Sequence, residues 1–306
     1  MTSSVFTSNE RNSPDWELDY YSRPVVEADG KKRWELLICS TQDPSNLTQQ
    51  KTREPETSFR WARSCSALNV NSLWLREALQ AALVDASQQG YGKPRRLRCW
   101  RSSMRAMVQR AAESLGMELV PSRRCFGLME WLRERDSNVY VHEPGYLAGP
   151  LAPPPRPSSP VPVPLPENLR GDHWSWASLP LASLHQAVEW DIDFPGLIVL
   201  PCGIPADAWV PGIRLFSRHR GLAIAGWLSG LEPVRFEISG RQLILEAGIE
   251  DRWLLATLAE QEAQAAGDSL CKLRTESGGI QFIAVQSSKI SARFEGFWIL
   301  RDLPDG

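Results

Sequence analysis

The sequence predicts a mixed α/β protein that is built from two domains. Its 306 residues are enough for two hydrophobic cores of ordinary size. Strand-like and helix-like segments alternate along both halves, which is typical of sheets covered by helices. A proline-dense stretch separates the halves and indicates an extended spacer. We therefore expect a disordered tail over residues 1–14, one domain over 15–143, a linker over 144–171 and a second domain over 172–306.

A β-hairpin is predicted to open the first domain. Two copies of the triplet Trp-Glu-Leu, at residues 16–18 and 34–36, flank Asp29-Gly30, a dipeptide that favours the positive φ angles of a tight turn. Alternate residues of a strand share a face, so two sets of side chains should lie on opposite faces of the first strand. One set is Trp16, Leu18 and Tyr20, and the other is Glu17, Asp19 and Tyr21.

Further strands and helices are predicted to follow in turn. Residues 58–67 indicate a third strand, and leucines at three- and four-residue spacing indicate a helix from Ser72 to near Gly90. The remaining predicted elements are a strand at 97–99, a helix at 104–115, a strand at 117–120, a helix at 126–132 and a strand at Val139–Val141. This order of elements resembles the ribonuclease H-like fold, an analogy that carries no functional weight by itself.

The second domain is predicted to mix the same kinds of element. Pro233–Ile238 and Arg241–Glu246 flank Ser239-Gly240, which indicates another hairpin. Helical patterns cover Leu179–Val188 and Asp251–Ala266. The other predicted strands are Leu197–Leu200, Ile213–Phe216, Leu222–Trp227, Phe282–Val285 and Phe294–Leu300.

The composition excludes several classes of protein. The formal net charge is −2, so a basic surface can arise only from local clustering. No apolar run approaches the roughly 18 residues of a membrane span, and the N-terminus carries no targeting segment. The 6 cysteines form no CxxC motif and indicate reduced thiols. We therefore expect a cytoplasmic protein.

The sequence contains none of the common catalytic motifs: HExxH, GxSxG, GxxxxGK[ST] and GxGxxG are all absent. A metal-dependent nuclease of ribonuclease H-like fold, which we keep as an alternative, needs several carboxylates around two metal ions. Asp19 and Glu77 stand at suitable places, but Arg98 and Arg101 occupy the strand where a third carboxylate is expected. We therefore predict no catalytic residue, no metal and no cofactor, and we expect Asp19 to balance the charge of the arginines.

The strongest functional signal is a basic window from Lys93 to Arg135. It holds eleven basic and four acidic residues, an excess of seven positive charges. Arginine suits bidentate contacts with phosphate, and tryptophan offers a ring on which bases stack. The predicted RNA-contacting residues are Arg95, Arg96, Arg98, Trp100, Arg101, Arg105, Arg123 and Arg124. The alternative interpretation is a solvated basic face, or arginines that pair with acidic groups.

Four segments resemble the Tab/Atab family, RNA-binding proteins of chloroplasts and cyanobacteria. They are WELDYYSRP at 16–24, GKKRWELLI at 30–38, GIQFIAVQ at 279–286 and GFWILRDLP at 296–304, and the resemblance extends from Asp15 to Pro304. It implies a non-catalytic protein that binds single-stranded A/U-rich RNA in an mRNA 5′ untranslated region. It also implies activation of translation of a photosystem I reaction-centre mRNA, with the translation machinery as a further partner.

The absence of a transit peptide predicts a cyanobacterial member of that family. A protein-interaction scaffold for photosystem biogenesis, using exposed tryptophans and the proline-rich linker, is a second alternative function.

Overall fold

The computed structural model of the chain describes residues 15–41, 59–149, 160–201 and 203–301. These residues divide into two compact units, one ending at residue 149 and the other beginning at residue 160. Both units mix strands and helices, which confirms the predicted mixed α/β class. The predicted tail of residues 1–14 and the middle of the predicted linker lie outside the described residues. No helix within the described ranges is long and apolar enough to cross a membrane.

The first unit is one sheet with helices packed on it. Its elements are β1 (Trp16–Val26), β2 (Lys32–Ser40), β3 (Arg60–Cys65), α1 (Ser72–Gln88), β4 (Arg96–Cys99), α2 (Arg105–Ser114), β5 (Glu118–Pro121) and α3 (Phe126–Asn138). The strand order is β3-β2-β1-β4-β5, with β1 to β3 antiparallel and β4 and β5 parallel to β1. These elements follow the predicted order, whereas their likeness to the ribonuclease H-like fold stays a prediction.

The two faces of β1 divide the first unit as the alternation of the sequence predicts. Trp16, Leu18 and Tyr20 are buried in a core that includes leucines and alanines of α1 and α2. Glu17 lies on the opposite face and accepts a hydrogen bond from the backbone N–H of Leu128 in α3. The sheet is therefore covered on both faces, and the polar set of β1 is buried under α3.

The predicted strand at Val139–Val141 is wrong. Residues Tyr140–His142 form a single 3₁₀ turn that continues from the end of α3. Among the described residues no strand pairs with this segment, and the buried Tyr140 hydroxyl instead donates a hydrogen bond of 2.5 Å to Glu35 on β2. A buried side-chain anchor, rather than a backbone ladder, holds the segment in place.

The second unit contains two sheets. Its elements are β6 (Val163–Pro164), β7 (His173–Pro180), α4 (Leu181–Leu184), β8 (Ile192–Gly196), β9 (Trp209–Phe216), α5 (Gly221–Leu231), β10 (Pro233–Ser239), β11 (Gln242–Ala247), β12 (Asp251–Thr257), α6 (Glu260–Glu276), β13 (Ile280–Gln286) and β14 (Phe294–Arg301). One sheet has the order β7-β9-β13-β14-β8 and the other the order β10-β11-β12-β6. Side chains of both sheets, α5 and α6 share one core.

Several predictions for the second unit are wrong. Leu222–Trp227 belongs to helix α5, because a short apolar run does not distinguish a buried helix from a strand. The predicted helix at Asp251–Ala266 begins as strand β12, which pairs with β11, and turns helical only at Glu260. Leu197–Leu200 lies beyond the end of β8 and forms no strand.

Two further segments differ from their predictions. The predicted helix at Leu179–Val188 is largely wrong. Strand β7 ends at Pro180, and only the single turn of α4 follows it. Val163–Pro164 of the predicted linker pairs with β12, and Leu165 is buried. The hairpin at Ser239-Gly240 and the strands near 213–216, 282–285 and 294–300 are confirmed.

Gly212 on β9 should be intolerant of any side chain. A Cβ atom there would lie 2.3 Å from the ring of Phe282, which is buried and stacked on Phe297. We expect Gly212→Ala to lower the free energy of unfolding by about 1–3 kcal/mol, the usual cost of overpacking a core. Urea denaturation of the full chain measures this.

The matched control for Gly212 is Gly230, near the end of α5. A Cβ atom at Gly230 meets nothing within 4 Å, so Gly230→Ala should raise the free energy of unfolding by up to about 1 kcal/mol. Equal effects of the two substitutions would contradict the close packing of β9 against Phe282.

Candidate functional site

The carboxylate of Asp19 lies at the centre of a buried charge network on the α3 face of the sheet. It is 0% exposed, and its two oxygens accept hydrogen bonds from Arg23 at 2.8 Å and from Arg101 at 2.5 Å. Burial acts to raise the pKa of Asp19, but the charges of Arg101 and Arg23 outweigh burial and hold this pKa below its ordinary value. The predicted pairing of Asp19 with the arginine segment is thus present.

Glu35 on β2 extends this network. Its carboxylate accepts hydrogen bonds from Arg23 at 3.2 Å, from Arg135 at 2.6 Å and from the Tyr140 hydroxyl. Burial raises the pKa of Tyr140 above its ordinary value, so the hydroxyl stays protonated and acts as the hydrogen-bond donor to Glu35. The network therefore connects β1, β2, α3 and the turn that follows α3.

Glu17 forms a separate buried site beside this network. One carboxylate oxygen accepts the backbone N–H of Leu128 at 2.8 Å, in the first turn of α3. Residue Cys125, which precedes that helix, makes no side-chain capping bond, so Glu17 supplies the acceptor from across the sheet. Burial raises the pKa of Glu17 to about 8. The carboxyl group is therefore largely protonated at neutral pH.

The residues proposed for a metal-dependent nuclease are not brought together. Glu77 is exposed on α1, which packs on the opposite face of the sheet from Asp19. Both oxygens of Asp19 are occupied by guanidinium groups. Within the described ranges, no group of three His, Cys, Asp or Glu side chains is arranged to hold a metal ion. The geometry therefore gives no support to two-metal chemistry.

Four of the predicted RNA-contacting arginines lie at one edge of the sheet. Arg101 and Arg105 follow β4, and Arg123 and Arg124 follow β5. Because β4 and β5 are parallel, both segments lie at the carboxyl ends of the strands, the edge at which open α/β sheets bind ligands. Arg95 precedes β4 and therefore lies at the opposite end of this strand, about 13 Å from its carboxyl end at a rise of about 3.3 Å per residue. The eight predicted residues therefore do not form one continuous patch.

Ion pairs occupy several of these arginines. The Nε atoms of Arg96 and Arg98 donate to the two carboxylate oxygens of Asp15, at 2.9 and 3.0 Å. Arg101 is buried, and its guanidinium lies 3.8 Å from the ring centre of Tyr21. These contacts hold β4 against β1, so we assign a structural role to Arg96, Arg98 and Arg101.

Trp100 is 2% exposed. A ring buried to that extent offers no face to a base, so the geometry gives no support to Trp100 as a stacking platform. Arg95 is exposed, Arg105 and Arg124 are half-buried, and Arg123 is buried. The accessible charge of the predicted set therefore comes mainly from Arg95, Arg105 and Arg124.

Two helical segments add to the positive edge. The turn Ser102–Met104 leads into α2, and α3 begins at Phe126, two residues after Arg124, so both helical N-termini lie near the arginines. Helix N-termini attract anions through their free N–H groups and their dipole, and in α3 the N–H of Leu128 is already accepted by Glu17. Arg105 lies in the first turn of α2, where its positive charge adds to the positive end of the helix dipole. This edge is therefore suited to binding an anion such as a phosphate group.

Sequence reasoning missed the partners that organise the site. Asp15 and Arg23 were not identified, although Arg23 follows Asp19 by four residues. Glu35 is expected from the sequence only as a strand-surface charge or as a partner for unspecified arginines, and it stands opposite Tyr21 in the hairpin. Pairing β1 with β2 across Asp29-Gly30 places Glu35 on the same face as Asp19, which was the available signal.

Comparisons with known proteins cover most of the chain. A family model described as the N-terminal part of RNA-binding protein Tab2/Atab2 matches residues 15–135, and one for its C-terminal domain matches residues 152–301. A Zea mays protein named TAB2 homolog, chloroplastic, is 36% identical over 310 residues, covering 95% of this chain and 72% of the relative. The Arabidopsis thaliana protein of the same name is 32% identical, with 95% and 75% covered. No solved structure matches.

Removal of the Asp19 charge should strongly destabilise the first unit. Asp19→Asn leaves Arg23 and Arg101 buried without their counter-charge, so we expect a loss of about 3–5 kcal/mol in the free energy of unfolding. Urea denaturation at pH 7 measures this loss. The control is Glu134→Gln, which breaks an exposed pair with Arg60 and should cost less than about 1 kcal/mol. A similar cost for both substitutions would contradict the assignment.

Glu17 should make stability fall as pH rises. Its pKa is about 8 in the folded chain and near 4.5 when unfolded, so between these values the folded chain keeps a proton that the unfolded chain has lost. The contribution of Glu17 is therefore complete below pH 4.5 and lost as pH rises through 8. Its slope is at most about 1.4 kcal/mol per pH unit.

Glu17→Gln should remove this dependence, because an amide keeps the acceptor for Leu128 and does not titrate. Free energies of unfolding at pH 5, 6, 7 and 8 test this expectation. The wild type should lose stability relative to Glu17→Gln across the series, and parallel pH profiles for the two proteins would refute it.

Proposed function

Because the chain belongs to the Tab2/Atab2 family of RNA-binding proteins, we propose that it binds single-stranded A/U-rich RNA and promotes translation of a photosystem I reaction-centre mRNA. Both family models and two relatives named as TAB2 homologues support RNA binding. The target sequence, in an mRNA 5′ untranslated region, and the engagement of the translation machinery are the finer parts of the proposal. The relatives are named as chloroplastic, and a cyanobacterial chain would meet such an mRNA in the cytoplasm, which is the compartment that we propose.

The observation that carries the proposed site is the positive edge at the carboxyl ends of β4 and β5. Arg105, Arg123 and Arg124 lie there beside two helical N-termini, and the side chains of Arg105 and Arg124 are partly exposed. Phosphate contacts from arginine provide most of the affinity for single-stranded RNA and give it a strong salt dependence. The proposed action is binding without catalysis, since the buried Asp19 is neutralised by two arginines.

Charge reversal at the accessible arginines should weaken RNA binding. We expect Arg105→Glu and Arg124→Glu, combined in one variant, to lower the affinity for an A/U-rich 20-mer by more than tenfold. The slope of log affinity against log salt should decrease by about 0.7 for each phosphate of the single strand that the variant no longer neutralises. Fluorescence anisotropy at several salt concentrations measures both quantities.

A matched variant distinguishes the effect of the positive edge on RNA binding from the effect of net charge. Arg76→Glu and Arg110→Glu change two exposed arginines of the same unit by the same total charge. We expect this variant to keep most of the affinity and the wild-type slope. Equal reductions in the two variants would show that net charge, and not the positive edge, determines binding. A G/C-rich 20-mer of equal length tests the proposed base preference.

A further inference from the structure

Arg214 on β9 is a half-buried cation without a carboxylate partner among the described residues. Its Nε donates to the side-chain oxygen of Gln286 at 2.7 Å, and one Nη donates to the backbone carbonyl of Lys289 at 3.3 Å. The guanidinium lies over the ring of Phe216, 4.9 Å from its centre. Burial lowers the pKa of Arg214, since desolvation disfavours the charged form.

Other arginines of the second unit are compensated. Arg235 pairs with Glu246 at 2.9 Å, and Arg252 pairs with Glu237 and Glu246. Arg214 is half-exposed and its hydrogen-bond partners are neutral, so its guanidinium remains within reach of an anion from solvent. An anionic ligand would supply the missing counter-charge.

Two further basic residues lie on the segments that follow β9 and β13, near the carboxyl ends of the strands that hold Arg214 and Gln286. These strands are parallel, and Phe216 stands beside Gln286 where both strands end. Arg218 is exposed in the turn after β9, and Lys289 is exposed in the loop after β13. The described ion pairs include neither of these side chains, whereas the neighbouring Arg220 and Arg293 are paired with aspartates.

The loop that carries Lys289 is held in place. Gln286 donates from its side-chain nitrogen to the backbone carbonyl of Ser291 at 2.7 Å, and Arg214 bonds the carbonyl of Lys289. The exposed ring of His173 stacks on Phe216, with 4.6 Å between ring centres. A held guanidinium beside an exposed aromatic ring matches a nucleotide, which presents a phosphate and a base together.

We propose that Arg214, Arg218 and Lys289 form a second RNA-contacting site, which binds phosphodiester groups of the single-stranded RNA through the second unit. This inference rests on the proposed function, because it assigns a further contact for the same ligand. Arg214 supplies directional donors to a phosphate oxygen, and Arg218 and Lys289 supply charge from the two adjoining loops.

The test uses the full-length chain and the A/U-rich 20-mer. Arg218→Gln with Lys289→Gln removes two exposed charges whose side chains make no ion pair or hydrogen bond within the described part of the chain, so the variant should fold normally. Each phosphate left without its cation should lower the salt slope by about 0.7 and the affinity at 0.1 M salt by about fivefold. Arg214→Gln should weaken binding further. The control is Lys272→Gln, an exposed lysine on α6, which should bind as the wild type does.

The outcomes separate this inference from the proposed function. A double variant with wild-type affinity and slope, while charge reversal at the positive edge of the first unit still weakens binding, overturns the second site alone. A wild-type chain that binds no RNA overturns both. Cross-linking with 4-thiouridine-substituted RNA should also label peptides that contain residues 286–293. Labelling confined to the first unit, or a double variant that fails only to bind a protein partner while RNA binding stays intact, would overturn the second site.

Discussion

The buried carboxylate of Asp19 is the constraint on which the first unit depends. A charge inside a protein is tolerated only when it is paired, and Asp19 is enclosed by Arg23 and Arg101. Arg23 belongs to β1 itself, whereas Arg101 follows β4, so the pairing joins the antiparallel hairpin to the parallel part of the sheet. Because Arg23 also bonds Glu35, the same network reaches β2, α3 and the turn at Tyr140.

This pairing also decides which chemistry the first unit can perform. A strand carboxylate with free oxygens can hold a metal ion, whereas both oxygens of Asp19 accept guanidinium N–H groups. The arginines drawn into such pairs stabilise the sheet, and Arg105 and Arg124 are more exposed than Arg101 and Arg123. Arg105 and Arg124 then lie beside helix N-termini, an arrangement suited to phosphate. Under the proposed function, structure and recognition use the same residue type at different depths.

In the second unit, some arginines are paired with carboxylates and one is not. Arg235 and Arg252 are compensated by Glu237 and Glu246, and these pairs hold β10, β11 and β12 together. Arg214 has neutral partners, and its charge lies beside two basic loops. A count of charges along the chain does not distinguish these cases. The informative quantity is the charge that remains after pairing, which needs coordinates.

By itself, the sequence determined the opposite faces of β1, the element order of the first unit and the local excess of positive charge, because each depends on residues close together in the chain. Tertiary structure alone decided that Trp100 is buried, that Arg23 is the second partner of Asp19 and that Arg101, rather than Arg98, makes the contact across 82 positions. It also made residues 222–227 part of helix α5 and residues 251–257 a strand. Packing partners and counter-charges come from segments far apart in the chain, so the local periodicity of the sequence does not predict them.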